Sequence, residues 1–239
     1  MMKSFLAFLT LAALACAQPA LAPPQIGFIQ DAANALRPLL GIAGNFLLGD
    51  ATQTDVNSAA FSGSFGMVNT NSALLVIDRQ GNVIASADSS SGSALFAFTP
   101  SGAPAFAYLV DANAWMVWDG QSFQPASFDL SQFGSATVLS ITSLRDGEAA
   151  LILQRDDGLW DVRVSMATAE VTSQTAITGV TAPALALATG DLVYRDADGV
   201  VVRKPDGSEK HIAAQLPANL VFQQMGDGWI QLRDLDTLA

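Results

Sequence analysis

The sequence predicts an all-β protein built from repeated four-stranded units. Beyond the first 25 residues, apolar side chains do not recur at the three- and four-residue spacing of a helix. Short apolar runs instead alternate with clusters of Gly, Asp, Asn and Ser, which is the pattern of strands joined by turns. One combination, an apolar run followed by an acidic turn and a second apolar run, recurs along the chain.

The recurring hairpin has a spacing of roughly 40 residues. Its first apolar runs start near residues 73, 105, 149, 191 and 228, so neighbouring starts are 32, 44, 42 and 37 residues apart. The turns that follow occupy residues 78–81, 111–114, 155–158 and 196–199, and the fifth run ends near Asp234. Several short strands per repeat at this spacing are typical of a β-propeller, in which each repeat forms one blade.

One further strand is predicted on either side of each hairpin, which gives about four strands per blade. The preceding strands are apolar, and the following ones, at residues 122–127, 170–175 and 209–213, are more polar. Strands covered on both faces are expected to be continuously apolar, whereas an outermost strand meets water. The sequence therefore predicts blades that become more polar from the inner to the outer edge.

The two ends of the chain are predicted to share one blade. The last unit, residues 220–235, supplies only two strands, and residues 26–29 and 36–40 form a hairpin suited to supply the other two. That arrangement would cover an edge that is otherwise open. It predicts a single domain over residues 26–239 with five blades; the alternative is a sixth blade formed by the N-terminal segment through Phe61.

The first 17 residues have the composition of a cleaved secretory signal peptide. Lys3 precedes an apolar run at residues 5–15, and Ala15-Cys16-Ala17 supplies the small residues that a signal peptidase reads. This run is shorter than the ~20 residues that span a bilayer. We therefore expect a Pro-rich leader at residues 18–25, no transmembrane span after cleavage, and export to the periplasm or the extracellular space.

Cys16 is the only cysteine of the chain. Cleavage after Ala17 would remove it, and this excludes disulfides, thiolate catalysis and cysteine-based zinc sites from the mature protein. The alternative is a lipid anchor on Cys16. Residues 14–16 weakly resemble the motif before the acylated cysteine of bacterial lipoproteins, although Ala13 stands where that motif has leucine.

The formal net charge of −11 limits the partners of this protein. Such a surface repels phosphate backbones, so nucleic-acid binding is not expected. A large negative charge also favours solubility and a monomeric state.

The repeated hairpins, together with residues 37–44 and 224–229, resemble exported bacterial β-propeller proteins of uncharacterised function. The resemblance covers most of residues 26–235 and implies a fold but no activity. The signature dipeptides of WD40 repeats are missing.

Six turn carboxylates are the first candidates for chemistry. A ring of acids at one face of a propeller would suit calcium binding or acid–base catalysis. Aspartate is also a favoured turn residue, because it hydrogen-bonds its own backbone, and we prefer this structural interpretation. The turn beginning at Asp196 resembles the start of a calcium loop but lacks the later ligands. The six acids are Asp78, Asp111, Asp156, Asp157, Asp196 and Asp198.

The remaining candidates are aromatic or basic. Trp115, Trp118, Trp160 and Trp229 are suited either to stacking on sugars or, as we prefer, to packing between blades. His211 is the only histidine and is predicted on an outer strand, with no G-x-S-x-G motif to accompany it.

No catalytic, metal or cofactor residue is assigned from the sequence. We expect an exported, non-catalytic propeller that binds a protein or a small ligand. The alternatives are a hydrolase or lyase that uses channel-facing acids with calcium, and a lipoprotein subunit of an envelope complex.

Overall fold

The computed structural model describes residues 23–42, 44–144, 147–226 and 229–236. The predicted signal peptide, Cys16 and most of the predicted leader lie outside these residues. The described chain is almost entirely β-structure, with one short 3-10 helix at Leu130–Phe133. Within these ranges, no helix has the length and apolar character of a membrane span.

The described strands form five sheets. An N-terminal sheet has the order β1-β2-β3, and four antiparallel blades of four strands each follow in chain order. The N-terminal sheet contains β1 (Gln25–Gln30), β2 (Leu36–Ile42) and β3 (Asn45–Leu48). The first blade contains β4 (Val56–Phe61), β5 (Phe65–Thr70), β6 (Ala73–Asp78) and β7 (Val83–Asp88). The second contains β8 (Ala94–Phe98), β9 (Pro104–Leu109), β10 (Ala114–Trp118) and β11 (Phe123–Ala126).

The later strands continue the same arrangement. The third blade contains β12 (Thr137–Ser143), β13 (Glu148–Arg155), β14 (Gly158–Ser165) and β15 (Glu170–Ile177). The fourth contains β16 (Thr181–Ala186), β17 (Leu192–Arg195), β18 (Gly199–Arg203) and β19 (Glu209–Ala213). The chain then adds an antiparallel pair, β20 (Leu220–Gly226) and β21 (Trp229–Asp234).

The first strands of successive units form a closed ring. Contacts join β4 to β8, β8 to β12, β12 to β16, β16 to β20, and β20 back to β4. The last of these includes a parallel bridge between Met225 and Phe61. This closure of repeated four-stranded sheets confirms the predicted all-β propeller.

The predicted repeat is shifted by one strand in its first unit. The second strands of the five units start at residues 65, 104, 148, 192 and 229, so their separations are 39, 44, 44 and 37 residues. The sequence pattern had placed the first of these starts near residue 73, which is the third strand of its blade. The strand predicted before this hairpin, at residues 61–68, is in the structure the end of β4 and most of β5. Strand β5 was not recognised as a hairpin strand because it ends in the buried polar residues Asn69 and Thr70 and no acidic turn follows it.

The predicted gradient of polarity across the blades is confirmed. Strand β9 is buried along its whole length, and β5, β6 and β13 are buried over most of theirs. The outermost strands β15 and β19 are largely exposed. Inner strands have neighbours on both faces, and outer strands have water on at least one, so apolar side chains concentrate inside.

A buried or half-buried serine links neighbouring blades at two places. The amide of Ala94 donates to Ser58 Oγ (2.9 Å), and the amide of Ala186 donates to Ser140 Oγ (2.9 Å). Both serines directly follow a register shift in the first strand of their blade. The bulge leaves Asn57 or Leu139 unpaired, and the serine that follows it, back in register, presents its hydroxyl oxygen as an acceptor to the next blade.

The ring closes differently from the shared blade that we predict. Strand β2 pairs with β1 on one side and with β3 on the other, so the N-terminal hairpin completes a three-stranded sheet of its own. The pair β20–β21 joins β4 instead. Strand β3 is not predicted from the sequence, and without it the N-terminal hairpin is free to pair with the C-terminal strands.

Side chains nevertheless connect the N-terminal sheet to both ends of the ring. The rings of Phe28 and Phe61 stack with centroids 4.8 Å apart. Buried Arg233 donates from Nη1 to Gln30 Oε1 (2.8 Å) and from Nη2 to Asn34 Oδ1 (3.4 Å). Burial lowers the pKa of the Arg233 guanidinium.

Candidate functional site

The six predicted turn carboxylates do not occupy equivalent turns. Asp78 ends the third strand of its blade, whereas the other five acids lie between the second and third strands of theirs. Successive turns of an antiparallel meander lie at opposite ends of the sheet. Asp78 is therefore at the other end of its blade from the turn that corresponds to those of Asp111, Asp156 and Asp196.

Asp78 and Asp196 are both engaged by their own turns. Asp78 accepts hydrogen bonds from the amides of Gln80 (2.8 Å) and Asn82 (2.9 Å) and from the Asn82 side chain (2.9 Å). These bonds, led by that of the Asn82 side chain, lower the pKa of Asp78. The amides of Asp198 and Gly199 donate to Asp196, and the bond from Asp198 is the main cause of its lowered pKa.

The other turn acids also serve local structure or face solvent. The side chain of Asp157 accepts a hydrogen bond from Trp160 Nε1 (2.9 Å), and that of Asp111 lies against Gly92 in the linker from the preceding blade. Asp156 and Asp198 are exposed. Across the described ranges, no three Asp, Glu, His or Cys residues come together in a geometry that could hold a metal ion.

The tryptophans divide between core and surface. Trp115 is buried, with the Tyr108 ring stacked 4.7 Å away and the Phe128 ring edge-on at 5.5 Å. Trp118 is partly buried beside Phe123. Trp160 is partly exposed, and the Arg155 guanidinium lies 4.6 Å above its ring. The side chain of Trp229 lies outside the described part of the structure.

His211 lies on the outer strand β19, at the position that the sequence predicts, and is exposed. Its Nδ1 is 3.2 Å from Asp196 Oδ2, and its Nε2 is 3.6 Å from Glu209 Oε2. Glu209 in turn accepts hydrogen bonds from Arg203 Nε and from the Tyr194 hydroxyl, both at 2.7 Å. This group ties the last strands of the fourth blade together.

An apolar hairpin in the N-terminal sheet is the feature that the sequence analysis missed. Strands β2 and β3 form this hairpin, and residues 38–49 of the sequence contain no charged side chain. Four of its large apolar residues are exposed: Ile42 by 66%, Phe46 by 48%, Leu47 by 59% and Leu48 by 55%. The signal was present as an uncharged run in an acidic chain, but residues 36–40 were assigned to the hairpin of the shared blade and no strand was predicted at residues 45–48.

Local chemistry fixes the shape of this hairpin. Gly41 has φ +122°, and a Cβ at this position would collide with the carbonyl oxygen of Asn45, so only glycine fits. The amide of Gly49 donates to Pro38 O (2.9 Å), and the amide of Gly41 donates to Pro24 O (2.8 Å). The hairpin is thus held at both sides of β2 while the side chains of β3 stay in solvent.

An open cleft of about 490 Å3 lies between the N-terminal sheet and the first blade. Phe28, Phe61 and Met225 contribute apolar surface, and Asp78 and Arg79 contribute polar groups. Gln25 donates to the carbonyl of Arg79 (2.8 Å) and links the two walls. One wall of the cleft is β1, which belongs to the same N-terminal sheet as the apolar hairpin. This sheet is separate from the four-stranded blades.

No protein-family model matches the chain, and no curated protein matches it in sequence. Among solved structures, it is similar to TolB from Acinetobacter baumannii, with 12% identity, a TM-score of 0.49, and coverage of 95% of this chain and 65% of that chain. A protein of unknown function from Bacteroides caccae gives 11% identity, a TM-score of 0.47, and coverage of 84% and 77%. The WD40 domain of SCAP from fission yeast gives 8% identity, a TM-score of 0.42, and coverage of 87% and 55%.

Likeness at these identities concerns the fold alone. The closed ring of repeated four-stranded sheets by itself defines the class of protein as a β-propeller. Of the predicted resemblance to exported bacterial propellers, the propeller fold is supported, and membership of an exported bacterial family stays a prediction.

Proposed function

We propose that this protein is an exported, non-catalytic β-propeller that binds a protein partner through the apolar hairpin. The observation that carries the proposal is the exposure of Ile42, Phe46, Leu47 and Leu48 on a segment without charge. Contiguous apolar surface on a soluble domain marks an interaction site. Here it stands out because the rest of the chain is strongly acidic.

Two further observations support a binding role rather than catalysis. The turn carboxylates Asp78 and Asp196 accept hydrogen bonds from their own turns. These bonds occupy oxygen lone pairs and stabilise the charged form, so neither group is suited to act as a general acid. The blades meanwhile supply a rigid frame behind the N-terminal sheet. Recognition elements are commonly displayed in this way, on segments held by a rigid scaffold.

The test compares two double variants in pull-down from an envelope fraction of the source cells. Phe46→Ser/Leu48→Ser removes apolar surface from β3. Val83→Ser/Ile84→Ser removes apolar side chains of similar exposure, 47% and 50%, from the outer strand β7. We expect the wild type and the β7 variant to retain the same partner and the β3 variant to lose it.

Equal retention by all three proteins would contradict the proposal. Thermal unfolding of each variant serves as the control, because both pairs of substitutions change exposed positions and should leave stability nearly unchanged.

Export is proposed from the signal-like N-terminus and is tested separately. Mass spectrometry of the mature protein should show an unmodified chain that begins at Gln18. A lipid-modified N-terminal Cys16 would instead support the envelope lipoprotein alternative, and an intact Met1 would contradict export.

A further inference from the structure

We infer that the partner contributes an extended segment that pairs with the open edge of β3 as an added strand. The inference rests on the proposed function and specifies how the apolar hairpin binds. Strand addition draws affinity from main-chain hydrogen bonds and specificity from alternate side chains.

The register of β3 determines which of its main-chain groups face the open edge. Because the amide of Gly49 donates to Pro38 O, the amides of Leu47 and Asn45 also point to β2, two residues apart along the strand. The main-chain N–H and C=O groups of Phe46 and Leu48 therefore point away from β2. Since β3 is the last strand of its sheet, these groups face the edge to which another strand can add.

The other outer strands are protected against such pairing. Each outermost blade strand contains a charged residue or a proline, which are the usual means of blunting a sheet edge. These residues are Asp88 in β7, Pro125 in β11, Glu170 in β15, and Glu209 and Lys210 in β19. Strand β3, with the sequence Asn-Phe-Leu-Leu, has neither. Strand β1, the other edge of the same sheet, also lacks a charged residue and a proline, but it lies against β20 and its Phe28 and Gln30 are buried. Among these edge strands, β3 is thus the fully exposed one without protection against pairing.

The surroundings of β3 define the chemistry of the added segment. Phe46 and Leu48 project to one face of the sheet and Leu47 to the other, so apolar side chains are favoured on both faces of the segment. The net charge of −11 favours a segment that is neutral or basic. It also disfavours a second copy of this chain, because two equally acidic molecules would meet over an edge of only four residues.

The first experiment follows individual amides of the wild-type protein by hydrogen exchange. The probe is a capped synthetic peptide of alternating valine and threonine with a lysine at each end. We expect added peptide to slow exchange at Phe46 and Leu48 and to leave Leu47, already directed to β2, unchanged. Unchanged exchange at all three amides, or equal slowing at all three, would overturn the inference.

The second experiment removes one outward amide while keeping the position apolar. Leu48→Pro deletes the N–H of an edge position, where proline is tolerated, and Leu48→Val keeps it. We expect the proline variant to bind the peptide about fivefold more weakly, since one lost hydrogen bond is worth about 1 kcal/mol. The valine variant should bind like the wild type.

Comparison of Leu48→Pro with the double variant Phe46→Ser/Leu48→Ser separates the inference from the proposed function. If Phe46→Ser/Leu48→Ser loses the cellular partner but Leu48→Pro retains it, the apolar hairpin binds by its side chains and strand addition is wrong. Phosphatidylcholine vesicles test the remaining alternative, in which the apolar hairpin binds a membrane surface. Binding of vesicles by wild type and Leu48→Pro alike, with no binding of the peptide, would assign the hairpin to a membrane surface and overturn the inference.

Discussion

The junction between the first two blades and the junction that closes the ring are held by different groups. At the first, the chain itself runs from β7 to β8, and Ser58 and Asn69 add hydrogen bonds to Ala94 and to the linker. At the closing junction, the two strands come from opposite ends of the described chain. There the side chain of Gln223 bonds the carbonyl of Ala59. Buried Arg233 bonds Gln30 of the N-terminal sheet, whose side-chain amide in turn donates to the Val56 carbonyl of β4.

The difference shows what chain connectivity contributes to a closed ring. Where a short linker already holds two blades together, neutral hydroxyl and amide groups are sufficient. Where no linker exists, association has a larger entropic cost, because the ends of a long loop must be brought together. A buried cation that reaches two amide side chains supplies stronger, charge-assisted hydrogen bonds at that position.

Among the variants that test this comparison, Arg233→Ala should lower the free energy of unfolding most. The change removes charge-assisted bonds to Gln30 and Asn34 and leaves a cavity, so we expect a loss of about 3 kcal/mol in the free energy of unfolding. Urea denaturation measures it. Arg163→Ala, which removes an exposed pair with Asp161 at 3.6 Å, is the control and should cost about 0.5 kcal/mol or less.

Asn69→Ala tests the ordinary junction and should cost about 2 kcal/mol. Asn69 is buried, donates to Gly92 O (2.8 Å) and accepts from Ser89 Oγ (2.7 Å), so its loss frees the linker between the first two blades. Asn57→Ala is the matched control, because the Asn57 side chain bonds Asn71 at an exposed site. A cost for Asn69→Ala above that of Arg233→Ala would reverse the proposed ranking of the two junctions.

Ser140→Ala should cost about 1 kcal/mol by leaving the amide of Ala186 without its partner. Amide hydrogen exchange gives the local readout, and we expect faster exchange at Ala186. Ser143→Ala, which removes a bond only to the neighbouring Leu144 carbonyl, should leave that amide unchanged. Unaltered exchange at Ala186 in the first variant would show that the hydroxyl does not join these blades.

The smallest effect is expected from the pH dependence of Asp31 within the N-terminal sheet. The Arg37 side chain, followed by the Ala35 amide, lowers the pKa of Asp31 from 3.8. A lowered folded-state pKa contributes stability above the unfolded pKa, and this contribution is lost as the pH falls through the folded value. Asp31→Asn should therefore flatten the decline of stability below about pH 3.8 and be milder at pH 4 than Arg233→Ala. If urea denaturation shows the same fall in unfolding free energy with decreasing pH for Asp31→Asn and the wild type, Asp31 is not the group responsible.

The repeat and the polarity gradient could be predicted because both arise from local patterns. Continuous apolar runs such as residues 149–153 identify inner strands, and the polar run at residues 209–213 identifies an outer one. Asp-rich turns are also a local pattern, and they identified the hairpins. The first unit was shifted because Asn69 and Thr70 are polar yet buried, and only their partners in the folded protein explain that.

The ring closure and the apolar hairpin depend on pairings that local patterns do not encode. Nothing in the sequence of β3 says that it pairs with β2 and leaves its other edge open. Likewise, the link from Arg233 to Gln30 spans 203 residues and is visible only in three dimensions. The exposed residues of β3 have the composition of a core strand, and their position at a sheet margin gives them a different role.

The bond from Gln223 to Ala59, which spans 164 residues, sets the order in which the molecule can be completed. Because the ring closes through contacts of β20 with β4, a chain synthesised from its N-terminus cannot complete the propeller until β20 has been made. Contacts of such long range slow folding. Under the export proposed above, this delay would be useful, because a chain that has not yet closed its ring stays unfolded enough to cross a membrane.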